Sequence, residues 1–352
     1  MSCQRDPQAG SPGHGSLGGM LVAVVGPCQD HPQWPGIRGG VERFVSGIPT
    51  LQAVCVAPPE STAESLQAAV GEALERGPNA VCLYVADPTG IGSCIELIGS
   101  RQALLVTMGR PINDPRVSAH VDINLPGAAE LLGANLGRVA AGRRSYLLVH
   151  ERSRGRLATE CYNRFSAAAQ RQYELTLLQA VDAAGSGRSP AELVEELLGR
   201  FPHAGMIVTL MPDVWLTARP GWRHELRELN RDYRFATLSA APVLWSRLGT
   251  PDNPGEAAAL VGPLDGEIGF AAVEIAVRLL LYDEQVPRRH TVSCELVTAA
   301  SLNDFARRYA AAANGLDVSA YLPAAPVSGP VPGSSTQPLL GKADQGGQKT
   351  DQ

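Results

Sequence analysis

The chain has 352 residues, 44% of them hydrophobic and 18% charged, with a formal net charge of −5. A chain of that length buries a sizeable core and is expected to form two lobes. The mild negative charge supplies no overall field for recruiting nucleic acid or anionic lipid, and no apolar run reaches the ~18 residues that span a bilayer.

Residues 1–19 read as a flexible linker rich in Gly, Ser and Pro. No signal-peptide apolar region is read within the sequence. Cys3 precedes this spacer, so the segment reads either as the lipid-bearing start of a tethered protein or as an ordinary disordered terminus. From residue 20 onward apolar runs alternate with amphipathic ones. Strands are expected at 20–26, 51–57, 80–85, 103–108, 145–150, 174–180, 205–210 and 235–239. Their continuous apolar cores suit strands covered on both faces, and the repeated strand–helix alternation predicts parallel sheets. Between them Leu66, Ala69, Val70, Ala73 and Leu74 share one helical face, and Leu131, Leu132, Leu136 and Val139 share another. Leu193, Val194, Leu197 and Leu198 form a third, and Phe270, Val273, Val277, Leu280 and Leu281 a late fourth. Ser61-Thr62 with Glu64, and Ser189 with Glu192, carry helix-start signals. From Pro323 the pattern collapses into Pro, Gly, Ser and Gln, and 323–352 reads as disordered.

Cys55, Cys82 and Cys294 fall in expected strands and read as small hydrophobes. Cys28 and His31 have ligand-like spacing but no second ligand pair, so no metal site is expected. No cofactor is implied. No G-x-S-x-G, complete G-x-G-x-x-G, P-loop or H-E-x-x-H motif occurs, so the chain reads as a non-enzyme. Gly36, Gly39 and Gly40 lie in a helix start and read as close packing. Arg143-Arg144 and Arg152, Arg154 and Arg156 read as solvated turns or as a docking face.

The segment from Leu21 to Phe44 runs from a hydrophobic strand through a polar loop holding Pro32 and Trp34 into a Gly-rich helix start. It resembles the type I periplasmic binding proteins of the ribose and galactose kind. Collinear stretches carry the same resemblance over about residues 20–320: Gly77 to Pro88, Ala103 to Arg110, Val121 to Gly133, Asp265 to Leu280, and His290 to Asn303. The resemblance implies a two-lobed α/β fold, each lobe a parallel sheet flanked by helices, joined by three hinge crossovers. It assigns 20–122 plus 264–287 to lobe one, and 123–263 plus 288–322 to lobe two.

The implied function is that of a periplasmic solute-binding protein, taking a sugar or sugar-like ligand in the cleft for an ABC importer. The alternatives are a ligand sensor subunit signalling to a membrane receptor or kinase, and the effector core of a LacI-type regulator without its DNA-binding part. Partners are then a small molecule and a permease (or membrane sensor), with no nucleic acid, and membrane contact only through a lipid on Cys3. The implied ligand-binding residues are His31, Gln33, Trp34, Asp87, Arg110, Asp122, Asn124 and Asp213. Trp34 would supply a stacking face, or else pack the lobe. Arg110 matches an arginine that forks across sugar hydroxyls. Asp87, Asp122 and Asn124 follow strand ends, where such residues also cap helices and turns. The second lobe departs from the pattern: Cys161, Leu210 to Asp213, Ala240 or Ala241, and Gly262 or Pro263 stand near the family's polar positions. Asp213, Trp215 and Trp245 build a different wall there or serve as core.

Overall fold

The computed structural model describes residues 19–172, 174–211, 233–252, 255–282 and 286–323. The linker 1–19 apart from Gly19, the tail beyond Pro323, Cys3, Asp213 and Trp215 lie outside them.

The first sheet contains β1 (Met20–Val25), β2 (Leu51–Val56), β3 (Ala80–Val85), β4 (Leu104–Gly109), β5 (Val117–Ile123) and β11 (Arg289–Val292), in the order β11-β5-β4-β3-β1-β2. Every pairing in it is parallel. All six residues of β3 are buried, as a central strand covered on both faces requires. Helices α1 (Trp34–Ser46) and α8 (Asp265–Tyr282) cover one face, and α2 (Ala63–Glu75) and α3 (Gly92–Ser100) the other.

The second sheet contains β6 (Ser145–His150), β7 (Thr176–Asp182), β8 (Met206–Thr209), β9 (Arg234–Thr237), β10 (Ala257–Gly262) and β12 (Glu295–Val297), in the order β12-β10-β9-β8-β6-β7. Only β12 runs antiparallel to its neighbour. Helices α4 (Leu125–Ala134), α5 (Leu136–Ala140) and α6 (Arg156–Ala169) cover one face, and α7 (Pro190–Arg200) and α9 (Leu302–Ala312) the other. Thr62 caps α2 through the Ser65 amide, and Ser189 with Glu192 forms a capping box on α7. No described helix is long and apolar enough to cross a membrane.

The expected strands match in place. Two strands were missed and one was misread. β5 carries His120 and Asp122 inside its run, and β10 is half alanine, so neither showed a clear apolar signal. The strand expected around Cys294 is two, with Cys294 between them: β11 joins the first sheet and β12 the second. Residues 288–292 therefore belong with lobe one, and the third crossover lies at 293–294, not at 287–288. The helix expected through Leu131 to Val139 breaks at Asn135, whose side-chain amide donates to the Leu131 carbonyl.

The chain crosses between sheets after β5, after β10 and after β11. These strands, with β12, lie at one end of each sheet, so all three crossovers are on one side and form the hinge. The free edges β2 and β7 lie on the opposite side.

Glycines set the contact behind the hinge. A Cβ on Gly40 would strike the Gly266 carbonyl, and one on Gly269 would strike that of Ile37. A Cβ on Gly39 would strike Ala313, and one on Gly266 would strike Ala312, both at the end of α9. Backbone thus meets backbone among α1, α8 and α9. Gly40→Ala is expected to cost about 1–3 kcal/mol through overpacking, read from denaturant unfolding. An unchanged midpoint would show that α1 and α8 do not meet this closely.

Candidate functional site

Ligands of open α/β sheets sit beyond the carboxyl ends of the strands. In the first lobe the loop after β1 is tied to the end of β2: the Gly26 amide donates to the Val56 carbonyl at 2.8 Å and the Gln29 amide to Pro58 at 3.0 Å. Beside these loops lies a recess of about 70 Å³ walled by Cys28, Pro58, Thr62, Tyr84, Asp87 and Thr89, among others. Small-molecule pockets usually hold roughly 300 Å³ or more, so this recess is at most one wall of a site.

Asp87 stands exposed on that wall and its Oδ1 accepts the Thr89 amide at 2.9 Å. This hydrogen bond holds its carboxyl below the usual range, with the charges of Arg110 and Arg154 adding to the effect. Arg110 comes from the end of β4 in the same lobe, and its amide donates to the Val85 carbonyl at 2.9 Å. Arg154 belongs to the second lobe, so charges from both lobes act on Asp87.

The opposing wall starts at the end of β6. His150 is buried, and its Nδ1 accepts the Arg152 amide at 3.1 Å. Burial lowers its pKa, which keeps the ring a neutral acceptor. The ring lies 4.5 Å from that of Tyr162, and the Arg152 guanidinium sits 5.0 Å from the centre of the same tyrosine ring. Arg154 donates to both Glu151 oxygens at 2.8 and 2.9 Å. Arg152 and Arg154, expected as solvated or docking groups, instead stand at the end of β6. The available signal was the strand–polar loop–helix pattern of 145–160, the same pattern that marked 20–40.

The other expected site residues are engaged elsewhere. The indole of Trp34 is 9% exposed and lies over Gly26, where a Cβ would enter the ring. It is a core residue of the first lobe and presents no broad stacking face, which corrects that expectation. Asp122 is buried beside β11, where Arg289 donates to its Oδ2 from Nε at 2.7 Å and from a second guanidinium nitrogen. Asn124 caps α4 by accepting the Gly127 amide at 3.0 Å. Trp245 is core, its indole N–H donating to the Ala240 carbonyl at 2.9 Å. His31 lies beside the recess with its ring 5.7 Å from that of Tyr84, and its Nδ1 accepts the Gln33 amide at 3.3 Å.

Gln33 belongs to a hydrogen-bond chain that the sequence did not suggest. The Tyr84 hydroxyl donates to Gln33 Oε1 at 3.0 Å. Gln33 Nε2 donates to Asp265 Oδ1 at 2.8 Å, and the Tyr309 hydroxyl donates to Asp265 Oδ2 at 2.7 Å. Asp265 is 2% exposed. Burial pushes its carboxyl up to about 7, against the two hydrogen bonds that lower it.

No protein-family model matches this chain. No curated protein matches it either. Solved structures do. An arabinose-binding protein from Geobacillus stearothermophilus superposes with a TM-score of 0.68 at 12% identity, covering 82% of this chain and 99% of that one. A solute-binding protein of an ABC transporter from Agrobacterium vitis, bound to α-D-tagatopyranose, gives 0.63 at 12% identity, covering 82% and 98%. This is the type I periplasmic-binding-protein fold. The fold is not confined to transport: a putative LacI transcriptional regulator from Bacteroides fragilis gives a TM-score of 0.60 at 14% identity, covering 81% and 99%.

Trp34→Ala is expected to lower stability by about 3–5 kcal/mol, the range for emptying a buried aromatic site. Denaturant unfolding measures it, and a loss under 1 kcal/mol would return Trp34 to the cleft. The carboxyl of Asp265 makes a second prediction. Its pKa is near 3.8 when unfolded and about 7 when folded. Its contribution is therefore complete below pH 4 and is lost as pH rises to 7. Relative to Asp265→Asn, the melting temperature of the parent protein should fall across that window. Parallel pH curves would exclude the shifted carboxyl.

Proposed function

We propose that this chain is a solute-binding protein that captures a small polar ligand, a sugar or a polyol, between its lobes. The observation that carries the reading is that Asp87 at a strand end of the first lobe feels the charge of Arg110 from its own lobe and of Arg154 from the second; Glu151 and Arg152 flank Arg154 at the β6 end. Carboxylates and guanidinium forks supply the paired acceptors and donors that vicinal hydroxyls need. Tyr84, His31 and Tyr162 add apolar faces with polar edges. The sugars named with two of the structural neighbours support the same class. The lobes are read as residues 20–123 with 265–292, and 125–262 with 295–322.

Delivery to an ABC importer outside the cytoplasm is the role that fits this ligand class. Cys3 is the candidate lipid attachment point, and the spacer behind it the tether. An effector core that answers a ligand without transport is the second reading, favoured by the Bacteroides fragilis neighbour.

A thermal-shift panel of aldoses, ketoses and polyols tests the class. A ligand at one hundred times its Kd stabilises the folded state by about 2.7 kcal/mol, which a melting curve resolves. Arg110→Ala should weaken the ligand found by about ten- to hundredfold, the equivalent of one charge-assisted hydrogen bond, with the unliganded melting temperature unchanged. A panel without a single shift, or wild-type affinity in Arg110→Ala, would overturn this reading of the cleft.

A further inference from the structure

The two oxygens of Asp265 serve different lobes. Oδ1 accepts from Gln33 in the loop of lobe one, and that amide holds Tyr84 on the recess wall. Oδ2 accepts from Tyr309 of α9, whose ring packs edge-on to Trp245 at 5.2 Å within the second-lobe core. Asp265 itself opens α8, directly after the β10 crossover, and α8 packs on the first sheet. The Tyr309 hydroxyl is driven into the wedge between α1 and α8, so that a Cβ on Gly36 would stand 2.5 Å from it.

We propose that Asp265 is a proton-operated latch between the lobes: with the carboxyl neutral, the wedge of α1, α8 and Tyr309 stays shut, and with the carboxylate charged, the lobes swing apart at the hinge.

The surroundings decide the direction. Gln33 from the α1 side is neutral. On α8, Glu267 is paired with Arg43 of α1 at 2.9 Å. On α9, Tyr309 is held well above its ordinary value by burial and by Asp265, so it remains a neutral donor, and Tyr321 adds to that shift. Arg308, next to it in sequence, is bound to Glu295 and Asp304. From the lead into β12, the Cys294 thiol is pushed up to about 12 by burial, with Asp265 and Asp122 contributing. Among the described residues no cation pairs with Asp265. Its charge is therefore buried against two hydrogen-bond donors alone, and burial outweighs them.

Water reaches the carboxylate only if α9 leaves the α1–α8 wedge, and that is a rotation about the three crossovers. The shut form holds a proton up to about pH 7, whereas a hydrated carboxyl releases it near 3.8. Between those limits the shut form carries one more proton. Each pH unit then moves the shut-to-open ratio about tenfold toward open, levelling above pH 7. The latch works on the hinge and does not depend on what the cleft binds.

Small-angle X-ray scattering of the ligand-free full chain at pH 5.5 and pH 8.5 tests this, with circular dichroism to confirm folding. The parent protein should have the larger radius of gyration at pH 8.5. Asp265→Asn, which keeps a neutral hydrogen-bonding group in place, should stay compact at both. Carbon-13 NMR of the aspartate carboxyls should show one that titrates near neutral pH in the parent and is missing from Asp265→Asn. Equal radii at both pH values in the parent would overturn the proposal, as would a parent-like expansion in Asp265→Asn.

Discussion

Helix α1 meets α8 and the end of α9 at backbone contact where their glycines face one another. Gly39, Gly40, Gly266 and Gly269 remove the Cβ atoms that would separate these helices, and the backbones close to contact, while Gly36 leaves room for the Tyr309 hydroxyl. Much else follows from this closeness. It brings α9, a helix of the second-lobe core, onto the first lobe. It seals Asp265 from water. It draws the loop after β1 inward, so that Gln33 is used inside the protein and Trp34 is pressed over Gly26. Larger side chains here would hold the lobes apart and leave the three crossovers as the only link between them.

The cleft gains its character from that geometry and from the strand ends. The second-lobe ends of β9 and β10 are apolar, with Leu238, Ala240 and Ala241 buried and Gly262 packed on Ala240. Among the described residues, polar groups at the second-lobe strand ends come instead from the β6 end, at the side away from the hinge. A ligand recognised by Asp87, Arg110 and Arg154 would therefore sit toward the open side of the cleft. Its recognition would rest on exposed charged groups in water, where each contact contributes less than a buried one.

Much of the fold was legible because buried parallel strands write themselves as continuous apolar runs. β1, β3, β6 and β8 are such runs, and each lies where it was expected. β5 and β10 escaped because their residues break that signal: His120 and Asp122 face neighbours inside the sheet, and Ala257 to Ala259 are too small to mark a strand. β11 and β12 merged in the sequence because two residues suffice to pass between lobes. The candidate site was less legible. A strand-end aspartate that caps a turn and one that faces a ligand have the same local sequence. Asp87, Asp122 and Asn124 separate only when their partners are known, and those partners are Thr89, Arg289 and Gly127.

Periodicity and the order of strand and helix are local properties, and together with chain length and the family resemblance over residues 20–320 they carried the doubly wound, two-lobed architecture. Which side chains are spent on packing and which remain for a ligand was decided only by the tertiary structure. Trp34 and Gln33 read as binding residues until Gly26 and Asp265 were seen against them. Asp265 and Tyr309 are 44 residues apart, and Gln33 lies 232 residues before Asp265. A carboxyl becomes a buried, shifted group only when segments that distant in the chain exclude water together, and no window along the sequence contains that event.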